Sequence, residues 1–255
     1  DVRRMLLFQK SMSEGSLSLV LLAAKYYDLE NTAESDDEKY KYKTLLEMII
    51  PVVKTYPSEA GNISVSNGIQ VLGGYGYCSD FILQQYYRDI RIASIYEGTT
   101  GIQSQDLLGR KITMDNGKGL ELLSAEILKC ISKAKNYKNL TEYSEKLNEK
   151  IGLAQKVLKT LMPLAIKGDY ERFLADASIF MEFFSLIIVS WTWLEIGIKS
   201  NEELEKNNFT KSFLKGKLEA MKYFFSYELP KTNGLAEIMM NMSDITIKKE
   251  EDYIN

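Results

Sequence analysis

The scarcity of helix-breaking residues constrains the fold of this chain more than any other sequence feature. Only 4 of its 255 residues are proline, and 16 are glycine. Leu, Lys, Glu, Ile and Met are plentiful, and apolar residues recur at helical spacing through residues 2–28. No segment shows the strict apolar–polar alternation that is typical of a half-buried strand. The sequence therefore predicts an all-α protein.

Turn-forming segments divide this helical pattern. Helices are predicted over residues 2–28, 39–56, from "YPSEAGN" to "VLGGYGY", 80–94, 100–112, 118–136, 140–167, 169–199 and 210–228. Breaks are expected at "YPSEAGN", where Ser58 is a suitable N-cap, and at "SNEELEKNNF". The segment "MDNGKG" is the predicted domain boundary. The predicted architecture is a helical bundle over 1–114 followed by a second helical bundle over 118–255.

Composition restricts the possible partners. The net charge is −3 with acids and bases interspersed, so the sequence predicts neither nucleic-acid binding nor attachment to a membrane surface. The most apolar stretch, residues 183–194, is too short to span a bilayer and indicates a core helix. No signal peptide is recognisable, and we expect a cytoplasmic location. The chain begins without Met inside a helical pattern, which we interpret as a fragment of a longer protein.

The chain contains no histidine, and this excludes several kinds of site. Ser-His and Cys-His nucleophile pairs and His-based metal sites cannot be formed. Cys78 and Cys130 are far apart and lack metal-ligand spacing, so we expect two free, buried thiols and no metal site. Any acid–base chemistry must come from carboxylates, Lys or Tyr.

One carboxylate has an unusual setting. In "IASIYEGTTGIQ", residues 92–103, Glu97 lies between an apolar-aromatic run and a Gly-Thr-Thr-Gly cluster. Thr100 and Gln103 fit a capping box, which would place Glu97 just before a helix start. Gly98 allows a sharp turn or a close approach to a ligand. From this local pattern alone, favourable electrostatics of about 0.3–1 kcal/mol explains Glu97 better than catalysis does.

The wider segment favours catalysis, because residues 68–111 closely resemble the C-terminal signature of the acyl-CoA dehydrogenase family. The elements that carry the resemblance are Gln70, Gly73-Gly74-Tyr75-Gly76-Tyr77, Arg88-Asp89, Arg91, Ile95-Tyr96-Glu97-Gly98-Thr99 and Ile102-Gln103. Their order and spacing are both kept. The later half is similar to the C-terminal helical extension of long-form members such as the methylmercaptopropionyl-CoA dehydrogenase type. The resemblance extends to about residue 242.

The resemblance implies a reaction. Family members oxidise the Cα–Cβ bond of an acyl-CoA thioester to a 2-enoyl-CoA, with FAD as cofactor. Glu97 matches the base that abstracts the α-proton, a task that calls for a dry pocket. The family also implies electron-transfer flavoprotein as a partner and a homodimer or homotetramer. The domains that precede this region in the family are lacking, so we expect the 255 residues alone to bind FAD poorly and not to turn over.

The family pattern further implies roles for individual residues. Gln70, Gly73 and Gly74 match the segment that contacts the adenosine-diphosphate part of FAD, typically across a dimer interface. Thr99 and Gln103 match cofactor-lining positions, and Tyr96 and Gly98 match the acyl-substrate site. Gly101 and Leu72 depart from the pattern, because many relatives carry Gln and His at these places. Arg88, Asp89 and Arg91 are expected to form structural ion pairs.

Two other hypotheses remain open. In the first, the chain is part of a family member that kept the fold and acts as a binding, protective or scaffold flavoprotein. In the second, it is a helical interaction module without flavin ancestry. The extension carries no motif that we assign to chemistry. Trp191 and Trp193 fall on different helix faces, which predicts one core residue and one boundary or interface residue. The apolar circumference of residues 185–194 suggests a subunit contact.

Overall fold

The computed structural model describes residues 1–206 and 208–247. All regular structure in these residues is helical, which confirms the all-α prediction. The α-helices are α1 Val2–Asn31, α2 Asp36–Leu72, α3 Leu83–Arg91, α4 Thr100–Gln105, α5 Lys118–Ala134, α6 Thr141–Ile166, α7 Tyr170–Leu174, α8 Ala177–Lys206, α9 Lys211–Tyr223 and α10 Lys231–Met240. Two π-helical segments, Asp106–Lys111 and Phe224–Glu228, continue α4 and α9.

Helices α1 and α2 form a long helical hairpin that supports the candidate site. The hydroxyl oxygen of Ser35 caps α2 by accepting the backbone N–H of Glu38 at 3.3 Å. Asp36, Asp37 and Glu38 occupy the first turn, where the helix dipole favours negative charge. Gly73, with φ of 61°, follows the last residue of α2 and confirms that the glycines end this helix.

The predicted break at "YPSEAGN" is wrong, because α2 continues through both Pro51 and Pro57. An interior proline costs about 3 kcal/mol or more, since it removes a backbone hydrogen bond. Burial of the residues on both sides of Pro51 offsets that cost, because Met48, Ile49 and Val52 are inaccessible to solvent. Ser58 does not cap a new helix, and its hydroxyl donates to the Lys54 carbonyl at 2.6 Å.

Helix α8 is the central helix of the second half and is buried around most of its circumference. Its 30 residues are long and apolar enough to cross a membrane, yet 83% of its most apolar window is buried within the fold. Trp191 and Trp193 are both buried, so the prediction of one boundary residue is wrong. Packing within the same chain explains the apolar circumference that suggested a subunit contact.

The two predicted bundles share one hydrophobic core. Buried residues from α1 and α2 and from α5 to α10 form one continuous cluster. The predicted boundary is a turn in which Asp115, Asn116 and Gly117 all have positive φ. Across it, Tyr40 of α2 donates its hydroxyl to the Asp115 carboxylate at 2.9 Å. The division into domains at 114–118 stays a prediction, and its last residues, 248–255, lie outside the described residues.

Three further expectations differ from the structure. The predicted helix over 169–199 is two helices, because Asp169 caps a single turn, α7, that places Phe173 in the core. The predicted turn at 200–209 is helical to Lys206, where Glu203 pairs with Lys199 and Lys206 at helical spacing. Cys130 is buried as expected, whereas Cys78 is exposed in the turn after α2.

Candidate active site

The candidate site is built around a left-handed turn at Glu97 and Gly98. Glu97 has φ of 57° and Gly98 has φ of 88°. This conformation costs about 1–3 kcal/mol for a residue that carries a side chain, and such strain is concentrated at functional sites. Two side chains hold the turn. The Gln103 amide donates to the Glu97 carbonyl at 2.9 Å, and the Lys54 ammonium donates to the Gly98 carbonyl at 2.5 Å.

The start of α4 lies directly after this turn. Thr99 is the N-cap, and its hydroxyl oxygen accepts the backbone N–H of Ile102 at 3.3 Å. The prediction of Thr100 as the cap is therefore wrong by one residue, because Thr99 has the extended backbone that a cap requires. Thr100 instead donates its hydroxyl to the Glu59 carboxylate. The Gln103 side chain does reach back, but it donates to the Glu97 carbonyl instead of accepting the backbone N–H of the N-cap residue, as it would in a capping box.

Helix α2 holds both ends of the segment that contains Glu97. Asn62 donates its amide to the hydroxyl oxygen of Ser94 at 3.1 Å, and Glu59 accepts from Thr100 at the other end. Lys54 contacts the middle of the segment. Sequence reasoning missed Lys54, Glu59 and Asn62. Lys54 and Asn62 are spaced for one helix face, but nothing local to α2 reveals partners that lie 32 to 44 residues away.

The carboxylate of Glu97 is exposed. None of the ion pairs or side-chain hydrogen bonds in residues 1–206 and 208–247 engages it. Its backbone N–H likewise has no hydrogen-bond acceptor within the described part of the chain. The dry pocket that proton abstraction requires is thus not formed by these residues alone, although a free acid and a free donor lie together.

Exposed apolar side chains lie on both sides of Glu97 along the chain. Ile95, Tyr96 and Ile102 are each about half exposed, at 47%, 54% and 57%. Tyr75 and Tyr77, in the turn after α2, are more exposed still, and α3 buries no residue. An apolar surface of this kind indicates an interface with another part of a protein or with a ligand. The predicted acyl-site residue Tyr96 lies within it.

Gln70, Gly73 and Gly74 form a second group at the end of α2. All three are exposed, and a Cβ atom added to Gly73 or Gly74 would meet no heavy atom within 4 Å. A phosphate can therefore approach this backbone closely. The structure brings Glu97, Gly98, Thr99 and Gln103 together in one turn. Within the described residues, no hydrogen bond links Gln70, Gly73 or Gly74 to that turn.

The remaining predicted residues have no comparable geometry. Arg88, Asp89 and Arg91 are exposed, and none of them takes part in an ion pair within the described ranges, so the structure does not show the expected pairing. Gly101 occupies the first turn of α4, with only the Thr99 hydroxyl near its missing side chain at 3.9 Å. The side chain of Leu72 packs close to Gly76.

Comparison with known proteins identifies the family of the chain. Residues 13–112 match the family model described as acyl-CoA dehydrogenase, C-terminal domain, and residues 123–248 match the one described as acetyl-CoA dehydrogenase C-terminal like. The chain therefore belongs to the acyl-CoA dehydrogenase family and carries its C-terminal helical region. The two matches lie on either side of the "MDNGKG" turn, residues 114–119.

Individual relatives support the same family. A butyryl-CoA dehydrogenase of Syntrophomonas wolfei is 29% identical over 100% of this chain, which spans 42% of that protein. The 3-methylmercaptopropionyl-CoA dehydrogenase of Ruegeria pomeroyi is 38% identical over 46% of the chain and 20% of its own length. A crystal structure of an acyl-CoA dehydrogenase complexed with FAD from Bacillus anthracis has a TM-score of 0.63 at 13% identity. That match covers 96% of this chain and 43% of the other, and it shows a common fold.

Proposed function

We propose that this chain is the C-terminal part of a FAD-dependent acyl-CoA dehydrogenase that oxidises the Cα–Cβ bond of an acyl-CoA to a 2-enoyl-CoA. The observation that carries the proposal is the turn at Glu97, where an unpaired carboxylate is held in a strained backbone conformation within an exposed apolar surface. The relatives named as acyl-CoA dehydrogenases support the same reaction class. The chain spans only part of their length, so the complete enzyme includes residues outside it.

The residues present fit FAD. The open backbone at Gly73 and Gly74 accommodates a pyrophosphate, and Gln70 supplies an exposed amide one turn earlier. Thr99 and Gln103 lie beside Glu97, although their side chains already hold the turn and the helix start. We assign these five residues to the cofactor site. When bound, FAD accepts the hydride that leaves the β-carbon.

Glu97 has the chemistry of the base. Its carboxylate takes the α-proton, and the electrons of the α-C–H bond form the new double bond as the β-hydride departs. The negative charge that develops on the thioester oxygen requires a donor. The backbone N–H of Glu97 is available for that role, since it bonds to no described acceptor. Tyr96 and Gly98 flank the base and contact the acyl part of the substrate.

Covering the exposed apolar surface completes this site. Removing water from around Glu97 raises the basicity of a carboxylate and strengthens the hydrogen bond to the thioester oxygen. We propose that residues outside this chain, together with a second subunit in a homodimer or homotetramer, provide the cover. Electron-transfer flavoprotein is the proposed electron acceptor, and the cytoplasm is the proposed location.

A flavin-reduction assay tests this function. Full-length protein carrying bound FAD is mixed anaerobically with a panel of acyl-CoAs of different chain length, and flavin absorbance is followed. We expect bleaching with at least one acyl-CoA and a loss of at least 10³-fold in its rate in Glu97→Gln, which keeps the shape and removes the base. Bleaching that is equally fast in the variant would contradict the role of Glu97.

The alternative of a non-catalytic family member makes a different prediction in the same assay. A binding, protective or scaffold flavoprotein would hold FAD without being reduced by any acyl-CoA. The unpaired Glu97 favours the enzyme, because a protein without this chemistry has no need for a strained acidic turn.

A further inference from the structure

We propose that Lys54 is a positioning residue for Glu97, a role that rests on the function proposed above. Lys54 does not touch the reacting atoms. It acts on the peptide that follows the base, because its ammonium donates to the Gly98 carbonyl oxygen at 2.5 Å. This contact joins α2 to a segment 44 residues further along the chain.

The left-handed turn requires such a restraint. Glu97 has a strained φ of 57°, and the peptide between Gly98 and Thr99 sets where the turn enters α4. Gln103 holds the first carbonyl of the turn with a neutral amide. Lys54 holds the second with a charged donor, and charge-assisted hydrogen bonds are about twice as strong as neutral ones. The two restraints together fix the peptide that carries the base.

The surroundings of Lys54 in α2 suit it to this role. It lies in the middle of α2, next to Val52, Thr55 and Tyr56, which are buried against the core. Its side chain is partly buried, and none of the ion pairs in residues 1–206 and 208–247 includes it. The ammonium is therefore not diverted to a carboxylate, and its position is set by a rigid helix rather than by a loop.

The other contacts of α2 leave this task to Lys54. Asn62 engages Ser94 before the turn, and Glu59 engages Thr100 after it. These contacts anchor the two ends of a segment of seven residues, from Ser94 to Thr100. Only Lys54 and Gln103 contact the carbonyls of residues 97 and 98 among the described side chains. Without the Lys54 contact, the turn keeps its ends and the Gln103 contact, but the Gly98 carbonyl loses its restraint.

The test compares three variants of the full-length protein with bound FAD. Lys54→Met removes the donor and keeps a long side chain, and Lys54→Arg keeps a cationic donor. Lys43→Met is the matched control, because Lys43 is an exposed lysine of the same helix without an ion pair within the described residues. The rate of flavin reduction is measured at saturating acyl-CoA, together with the apparent acyl-CoA affinity and the flavin content.

Lys54→Met is expected to reduce the limiting rate of flavin reduction by roughly 10- to 100-fold, as a misplaced catalytic group does. Acyl-CoA affinity and flavin content are expected to stay within about twofold, because the variant leaves binding groups in place. Lys54→Arg is expected to recover most of the rate, and Lys43→Met to match the unmodified protein. A Lys54→Met rate equal to that of the unmodified protein, while Glu97→Gln remains inactive, would overturn the proposal and leave the function intact.

Hydrogen–deuterium exchange provides a readout that does not depend on turnover. In Lys54→Met, the hydrogen-bonded amides at the two ends of the turn, those of Tyr96, Ile102 and Gln103, are expected to exchange at least several-fold faster, with α1 and the rest of α2 unchanged. Unchanged exchange at these three amides would overturn the positioning role, even for a variant with altered flavin content. If the unmodified protein is not reduced by any acyl-CoA, the proposed function fails, and this exchange measurement still decides whether Lys54 holds the turn.

Discussion

Glu97 illustrates how this protein balances strain at a single residue. The left-handed backbone costs about 1–3 kcal/mol. A neutral hydrogen bond contributes about 1 kcal/mol and one to a charged group about 1.5–3 kcal/mol. The contacts from Gln103 and Lys54 are therefore of the size needed to offset the strain. The carboxylate itself makes no such contact in the described residues, so it stays available for chemistry.

The sequence predicted part of this arrangement. Glu97, Gly98, Thr99 and Gln103 were identified together because family resemblance preserves their spacing within seven residues. The cap at Thr100 was misplaced because Thr99 and Thr100 have the same side chain, and only the backbone conformation distinguishes them. Lys54 could not be identified, since its partner is a backbone carbonyl, which carries no sequence signal.

The two cysteines provide a test at the residue scale. Cys78 is exposed in the turn after α2, whereas Cys130 is buried in α5. Burial, followed by the nearby carboxylate of Glu195, raises the pKa of the Cys130 thiol. A raised pKa keeps the thiol protonated and unreactive as pH rises, and alkylation requires the thiolate. We expect mass spectrometry after iodoacetamide treatment at pH 8 to find Cys78 labelled and Cys130 protected. Equal labelling rates of the two thiols in the native protein would contradict the packing of α5.

At the scale of elements, the approach of α1 to α8 joins the two halves. Gly15 of α1 lies against Trp193 and Val189 of α8. A Cβ atom at Gly15 would lie 2.8 Å from the Trp193 indole nitrogen and 3.0 Å from a Val189 methyl carbon. Trp193 is inaccessible to solvent, so a shift of its indole requires its neighbours to move as well. Glycine therefore allows these helices to pack more closely than another residue would.

Replacing this glycine tests the contact. Gly15→Ala is expected to destabilise the protein by up to about 2 kcal/mol, because overpacking costs about 1–3 kcal/mol and alanine recovers about 1 kcal/mol of helix propensity. Gly152→Ala in α6 is the matched control, since a Cβ there meets no atom within 4 Å. The control is expected to be stabilising by up to about 1 kcal/mol. The free energy of unfolding of each variant is measured by urea denaturation and compared with that of the unmodified protein. A Gly15→Ala variant as stable as the control would contradict the close packing.

Most helices were predictable, and the exceptions have physical causes. The break at Pro57 was expected because proline lacks a donor, but burial along α2 outweighs the lost bond. The division of residues 169–199 depends on Phe173 entering the core, a tertiary contact. Both tryptophans of α8 are buried because neighbouring helices cover both faces, which helical periodicity alone cannot reveal.

At the scale of the whole molecule, burial is unevenly distributed. The first and second halves share a continuous core around α8, whereas Tyr75, Tyr77 and Tyr96 are exposed. The chain spans 42% of the butyryl-CoA dehydrogenase that it matches throughout. The exposed surface lies where the proposed cofactor and substrate residues are. We therefore infer that assembly of the complete protein, rather than this chain alone, dehydrates Glu97.

Proton abstraction by Glu97 can be measured separately from oxidation. An acyl-CoA with sulfur in place of the β-carbon cannot release a β-hydride, so any exchange of its α-protons reports the base alone. Full-length protein with bound FAD is incubated with this thioester in D₂O, and α-deuterium incorporation is followed by mass spectrometry. Incorporation is expected to depend on the protein and to fall at least 10³-fold in Glu97→Gln. Undiminished incorporation in that variant would show that another group takes the α-proton.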